Sequence, residues 1–264
     1  MKEDKQPRRL PVNYILKPEI SHFTPESVVF VDGTSSSEID SLILGTGYEL
    51  RIPFLSAGGT LEIDPSARSC PLDPPNLTTN LRYLFPLHEH VFSLAGAYPA
   101  TALSFVGLPI LVANCPSDIA QALLVVHGIA RPEILPSRSD MLAELRKKEQ
   151  HMVDRGLDPY NVGHRLVDID EGDGQMPDMA HDYQDAIVEF LKEKGVIPDD
   201  GKPFVEDWRR KIRNDSEYLW RAWERVEEEG EESVRRWLKG VKAEDEWVEL
   251  MQKLVDWEKA KEKN

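Results

Sequence analysis

Glycine spacing constrains this chain more than any other feature. Among its 264 residues are 16 glycines, and Gly45-x-Gly47 and Gly172-x-Gly174 are the only places where two stand one residue apart. Leu50 and Pro177 occupy the positions where a third glycine would complete G-x-G-x-x-G. Such a turn lets a backbone approach a pyrophosphate at a helix N-terminus, so a dinucleotide fingerprint is excluded, and no P-loop is present either. By its glycines alone the chain carries no cradle for nucleotide phosphates.

Charge narrows the field further. Lys and Arg number 32 against 47 Asp and Glu, a formal net charge of −15. That balance argues against a nucleic-acid backbone or an anionic membrane as partner. Residues 1–150 hold 13 basic and 17 acidic side chains, residues 151–200 hold 4 and 13, and residues 201–264 hold 15 and 17. The acidic centre, Asp168-Ile-Asp-Glu-Gly-Asp-Gly174, reads as a solvated loop, because its ligand order departs from the calcium-loop pattern. The apolar stretch from Ala102 to Cys115 is interrupted by Ser104, Pro109 and Asn114 and is too short to span a bilayer. No apolar run follows the charged start Met1–Arg9, and Cys70 and Cys115 form no C-x-x-C motif, which together suit a cytoplasmic protein.

The pattern along the chain is mixed. Val28-Val-Phe-Val31 before Asp32-Gly33 reads as a strand ending in a turn, and Asp40-Ser-Leu-Ile-Leu-Gly45 and Ala102–Leu108 read as further apolar strands of the kind found in parallel sheets. A helix is expected from Ser117 or Asp118, with Asp118 and Gln121 as a capping box. Met141, Leu142 and Leu145 predict a helix ending near Gly156, and Tyr183, Ile187, Phe190 and Leu191 predict another ending at Gly195. All six Trp lie between positions 208 and 257, and their helical spacing predicts two or three amphipathic helices whose tryptophans serve packing. His88-Glu89-His90 lacks a marked third ligand for zinc and reads as a pair of surface histidines, and no G-x-S-x-G nucleophile is present. No catalytic or metal-binding residue is assigned.

The most informative motif is Asp40-Ser-Leu-Ile-Leu-Gly45-Thr46-Gly47-Tyr48, an apolar run ending where two glycines permit a close approach. It resembles the D-x-(apolar)-A-T-G-Y signature of the flavin-containing monooxygenases. Further segments resemble that family in the same order: Pro18–Phe23 with Val28–Gly33, Asn80–Pro86 with His90–Phe92, Pro99–Leu108, Ala120–Ala122, Leu135–Met141, and Tyr183–Gly195. Gly45 replaces the family's usual alanine, and Ile119 stands where an acid is common.

The resemblance implies the C-terminal portion of such a protein, truncated or drawn from a fragmentary gene. The fold class expected is an incomplete, three-layer α/β remnant of a flavoprotein with two dinucleotide-binding domains, followed by an α-helical tail. It divides into residues 1–150 as the partial FAD/NAD(P)-binding domain, 151–200 as acidic loop and helix, and 201–264 as the Trp-rich tail. It implies FAD and NADPH as cofactors, a small amine or sulfide as substrate, and Gly45, Thr46, Gly47 and Gln121 as cofactor-facing residues. The helix start after Gly107 would face the pyrimidine edge of the flavin. The competing reading is a non-catalytic interaction module whose helical tail binds a protein partner.

Overall fold

A computed structural model of the chain describes residues 15–45, 47–110, 112, 114–167 and 179–262. Two compact units result, Met1–Tyr48 and Glu49–Asn264. Thr46 and the acidic stretch 168–174 lie outside the described residues.

The first unit is a small antiparallel sheet. β1 (Ile20–Phe23) pairs with β2 (Val28–Phe30), which pairs with β3 (Ser35–Ser36). Its second turn is the expected Asp-Gly one: Gly33 sits at φ +82°, and the Asp32 carboxylate accepts from the Thr34 N–H at 2.9 Å and hydroxyl at 2.7 Å. The run Asp40–Gly45 forms no strand, contrary to its apolar pattern, and Ile43 is 91% exposed. A strand needs a neighbour for its backbone donors and acceptors, and this segment pairs with none among the described residues.

The second unit is mixed α/β with a helical C-terminal region. After α1 (Pro53–Ala57), β4 (Leu61–Ile63) runs parallel to β5 (Leu77–Thr79), with Leu61 opposite Leu77, and β6 (Leu84–Phe85) closes the sheet antiparallel. β7 (Leu87–His88) and β8 (Phe92–Ser93) form a separate antiparallel pair. Among the described residues β4–β5 is thus the only parallel pair of strands, an isolated parallel bridge links Ile110 and Arg165, and Ala102–Leu108 contributes only a bridge at Ser104.

The helices follow the sequence pattern more closely. α2 (Asn114–Ala130) packs on α5 (Met179–Glu193), burying Ala120 and Leu124 against Ile187, Val188 and Leu191, with Val91 and Phe92 beneath. Burying one such leucine stabilises by roughly 1.5–3 kcal/mol. α3 (Arg138–Asp154) begins at Ser137, whose hydroxyl caps Asp140 N, and ends at Gly156, φ +77°, where Leu157 N–H donates to Met152 O at 2.9 Å. α5 stops the same way at Gly195, φ +63°, with Val196 N–H donating to Leu191 O at 3.1 Å. These are left-handed glycine caps that satisfy the last carbonyls. α3 also carries Arg138, whose guanidinium donates to Leu94 O (2.8 Å), Pro74 O (3.1 Å) and Asp73 (2.7 Å), tying two loops to one helix.

Past the short α4 (Pro159–Val162), the C-terminal region consists of α6 (Asp207–Asn214), α7 (Ser216–Glu228), α8 (Glu231–Trp237) and α9 (Glu244–Glu262). α7 packs on α9 through Ala222, Val226, Leu250 and Leu254, flanked by Trp223, Trp237 and Trp257. Those three tryptophans serve helix packing, as their spacing predicts, whereas Trp220 is 77% exposed. No helix among the described residues is long and apolar enough to cross a membrane.

Gly128 marks the closest contact in the α2–α5 core. A Cβ there would meet the Phe92 ring at 2.7 Å, and that ring is fully buried and cannot retreat. Gly128→Ala is expected to lower unfolding stability by about 1–3 kcal/mol despite alanine's better helix propensity, as measured by urea denaturation. An unchanged midpoint would disprove this packing.

Candidate functional site

The expected cofactor-facing glycines lie in the first unit. Gly47 has φ +86°, a conformation side chains rarely adopt, and a Cβ built at Gly45 or Gly47 meets nothing within 4 Å. Around them the chain is exposed, with Tyr48 fully so. The segment therefore presents bare backbone flanked by apolar side chains. Residues 41–48 contain no charged side chain and none of the glycine turns that hold phosphates.

Gln121 lies in the second unit, completely buried. It does not form the expected capping box, because α2 starts at Asn114 and places Asp118 and Gln121 inside the helix. Instead its Oε1 accepts from the Gly107 N–H at 2.8 Å, and its Nε2 donates to Tyr183 Oη at 2.8 Å. Gly107 sits at φ +85°, which turns its N–H toward α2, where the Gln121 side chain is the nearer partner. Tyr183, from α5, donates its hydroxyl to the Glu89 carbonyl at 2.6 Å. Buried polar groups require such partners, and one relay here links the loop before α2 to the turn between β7 and β8. Burial and the Glu89 charge together hold the Tyr183 phenol well above its ordinary range, while its bond to Gln121 acts the other way.

That turn overturns the reading of His88 and His90 as surface residues. His88 is buried in β7, and Glu89 and His90 then adopt left-handed backbone, φ +48° and +57°, so the triplet is not extended and its rings do not share one face. His90 Nδ1 lies 3.0 Å from His164 Nδ1, and His164 Nε2 accepts from the Leu84 N–H at 3.1 Å. Gly163 makes this possible: at φ +65° its Cα packs so closely on Arg82 that a Cβ would lie 2.8 Å from the Arg82 carbonyl oxygen. Tyr83, Phe85 and Tyr160 complete an aromatic cluster around His164, with the Tyr83 and His164 ring centres 5.0 Å apart.

His88, Glu89 and Glu144 bring ligand atoms within 4.8 Å of one another. The cation between the carboxylates is Lys148, which donates to Glu89 and lies 3.3 Å from Glu144. Burial works to raise the Glu89 carboxyl, yet Lys148 holds it below the usual range. Burial also lowers His88 despite both carboxylates. Lys148 thus already pairs with both carboxylates, from a position where it and Glu144 are exposed.

Sequence reasoning reached Gln121 but missed Tyr183, His164 and Glu89 as its network. Tyr183 was legible only as a helix-stripe residue, and nothing local marks His164, 74 positions from His90. Ser117 Oγ in the first turn of α2 and both amide atoms of Gln184 are among the buried polar atoms that make no hydrogen bond among the described residues.

Comparison with known proteins completes the picture. The flavin-binding monooxygenase-like family matches residues 2–165. The flavin-containing monooxygenase FMO GS-OX-like 9 of Arabidopsis thaliana is 26% identical over 199 residues, covering 75% of this chain and 34% of that protein. Flavin-containing monooxygenase 5 of Cavia porcellus is 26% identical over 157 residues, covering 59% of this chain and 26% of that protein. The chain thus spans about a third or less of the length of these relatives. The structure of S-allyl-L-cysteine S-oxygenase from Allium sativum superposes with a TM-score of 0.50 at 23% identity, over 88% of this chain and 41% of that one, a likeness of fold. With the family pattern matched over more than half its residues, the chain belongs to the flavin-binding monooxygenase-like family.

Proposed function

We propose that the chain is the flavin-closing, C-terminal part of a monooxygenase that transfers one oxygen to a soft nitrogen or sulfur nucleophile, and that it is not an oxidase by itself. The family match over residues 2–165 carries this reading. Relatives named for forming the N-oxide of dimethylaniline, in Macaca mulatta, and for S-oxygenation, in Allium sativum, support the substrate class. FAD, reduced by NADPH, supplies the oxygen-activating chemistry in such enzymes. The contribution of this chain's own residues is positional. Gly45, Thr46 and Gly47 face the cofactor, the two glycines giving it a close backbone approach, residues 1–150 form part of its domain, and residues 201–264 are an appended helical region.

Gln121 acts in this reading from behind. Its amide is spent on Gly107 and Tyr183, so it fixes the loop that leads into α2, and the first turn of α2 presents the donors. A helix start favours a partial negative charge by about 0.3–1 kcal/mol, and the unpartnered Ser117 hydroxyl adds polar capacity there.

Two outcomes test this. The purified chain is expected to be colourless, to leave FAD fluorescence unquenched and to consume no NADPH, because no glycine turn in it holds a phosphate. Stoichiometric yellow FAD on the purified chain would overturn the assignment. Tyr183→Phe deletes the hydroxyl that joins Gln121 to Glu89 and leaves both buried groups unpaired. It is expected to cost about 1–3 kcal/mol in urea denaturation and to raise the exchange rate of the Gly107 amide. A variant as stable as the parent would show that the relay does not hold the loop.

A further inference from the structure

We propose that His90 and His164 form a proton-locked pair: each ring is held neutral in a single tautomer, and acid that protonates either one unfastens the Glu89–His90 turn and the loop at Gly107–Ile110. Hydrogen-bond polarity carries the argument. The Leu84 N–H can only donate, so His164 Nε2, at 3.1 Å, bears a lone pair. A neutral His164 then carries its proton on Nδ1 and donates it across 3.0 Å to His90 Nδ1. His90 Nδ1 is therefore bare, and its proton sits on Nε2.

Neither ring has room for a second proton. A proton on His164 Nε2 would point at the Leu84 N–H, and one on His90 Nδ1 would point at the His164 N–H. The groups that face the pair offer no compensating charge. Tyr183 from α5 approaches His90 with its ring, centres 6.1 Å apart, and Tyr83 approaches His164 edge-on. The Glu89 carboxylate beside His90 is committed to Lys148 of α3. Burial accordingly depresses His90 to about 4 and His164 well below the ordinary histidine value.

Release would be transmitted because the same residues hold the loop before α2. The His164 carbonyl accepts from the Ile110 N–H at 3.2 Å, and Ile110 bridges Arg165 in parallel. On the other side, the Glu89 carbonyl anchors Tyr183, Gln121 and, through them, Gly107. The pair sits where both anchors meet, so losing its bond loosens both. The inference concerns the fold of this chain and stands whether or not a flavin is bound.

Nitrogen NMR of the imidazoles in the full chain reads the tautomers directly. At neutral pH His164 should show a protonated Nδ1 and bare Nε2, and His90 the reverse. The opposite tautomer in either ring, or a cationic ring, would overturn the proposal. The linkage is read by urea denaturation from pH 8 to pH 5. Both rings are lowered in the folded state, so the unfolded chain binds more protons below about pH 6.5. Their stabilisation is complete above that value and is lost as pH falls, with the unfolding constant rising by up to about tenfold per pH unit for each ring. His88, lowered by burial and 3.9 Å from Glu144, adds to the slope in both proteins and drops out of a comparison with His90→Asn. In that variant the Asn carbonyl can still accept from His164, so the fold is kept while one titrating ring is removed. Its slope should be about tenfold per unit shallower, and a slope equal to the parent's would refute the lock.

Discussion

The hydrogen bond between the buried Gln121 and the half-buried Tyr183 is the contact on which the rest of the second unit depends. It lies between α2 and α5, where leucines and isoleucines do most of the stabilising, and it is the directional element in that packing. Apolar burial is indifferent to a small slide of one helix along another, but an amide and a phenol that must meet in a dry interior are not. Fixing that register also fixes what each partner holds on its far side: Gly107 for Gln121, and the Glu89 carbonyl for Tyr183. Two irregular segments therefore inherit their positions from one helix pair. Since neither segment has a strand ladder of its own at those atoms, removing the relay would leave two backbone groups without partners.

A comparable logic governs the turns from β5 to β6 and from β7 to β8. Leu81, Glu89 and His90 adopt left-handed backbone without being glycine, a conformation that side-chain-bearing residues enter only when the surroundings over-determine it. The surroundings here include Asn80, whose carbonyl accepts from the Arg82 and Tyr83 N–H groups and whose amide donates to Tyr160 O at 2.8 Å. They also include the ring of His164 and the ammonium of Lys148. Polar contacts spanning 59 to 80 positions thus add to the local turn bonds of Asn80.

This division explains which parts of the molecule were readable in its sequence. The ends of α3 and α5 at Gly156 and Gly195 were legible because a helix cap is local chemistry, confined to a few residues. Tryptophan packing in α7 to α9 was legible for a related reason, since helical period alone puts Trp223 on the side that meets α9. Strand assignment at Leu42–Leu44 failed because apolar composition reports a tendency to be covered, and pairing depends on a neighbour that a local window does not contain. The capping box at Asp118 and Gln121 failed because Gly107, fourteen positions away, competes for the same carbonyl. The histidines were misread for the same cause: the partner of His90 is His164, 74 positions away, which the close approach of Gly163 to Arg82 brings to Leu84. Family resemblance reached further than local reading because an ordered series of motifs records long-range contacts without revealing what they are.

Charge distribution adds a final constraint on where chemistry can occur. The chain is strongly acidic, and several of its basic side chains are engaged between elements: Arg210 with Asp182 and Asp185, Lys259 with Asp215, Arg225 with the buried Glu258, and Arg138 with Asp73 and two carbonyls. A cation already committed to a carboxylate at 2.6 or 2.7 Å is a poor anchor for a phosphate, since binding the ligand would first require breaking a charge-assisted bond. Residues 42–48 carry no charge at all, and Leu42, Ile43, Leu44 and Tyr48 are exposed. Among the described residues the cations are thus spent on holding elements together, and the loop before α2 is fixed by Gln121 and not by a charge.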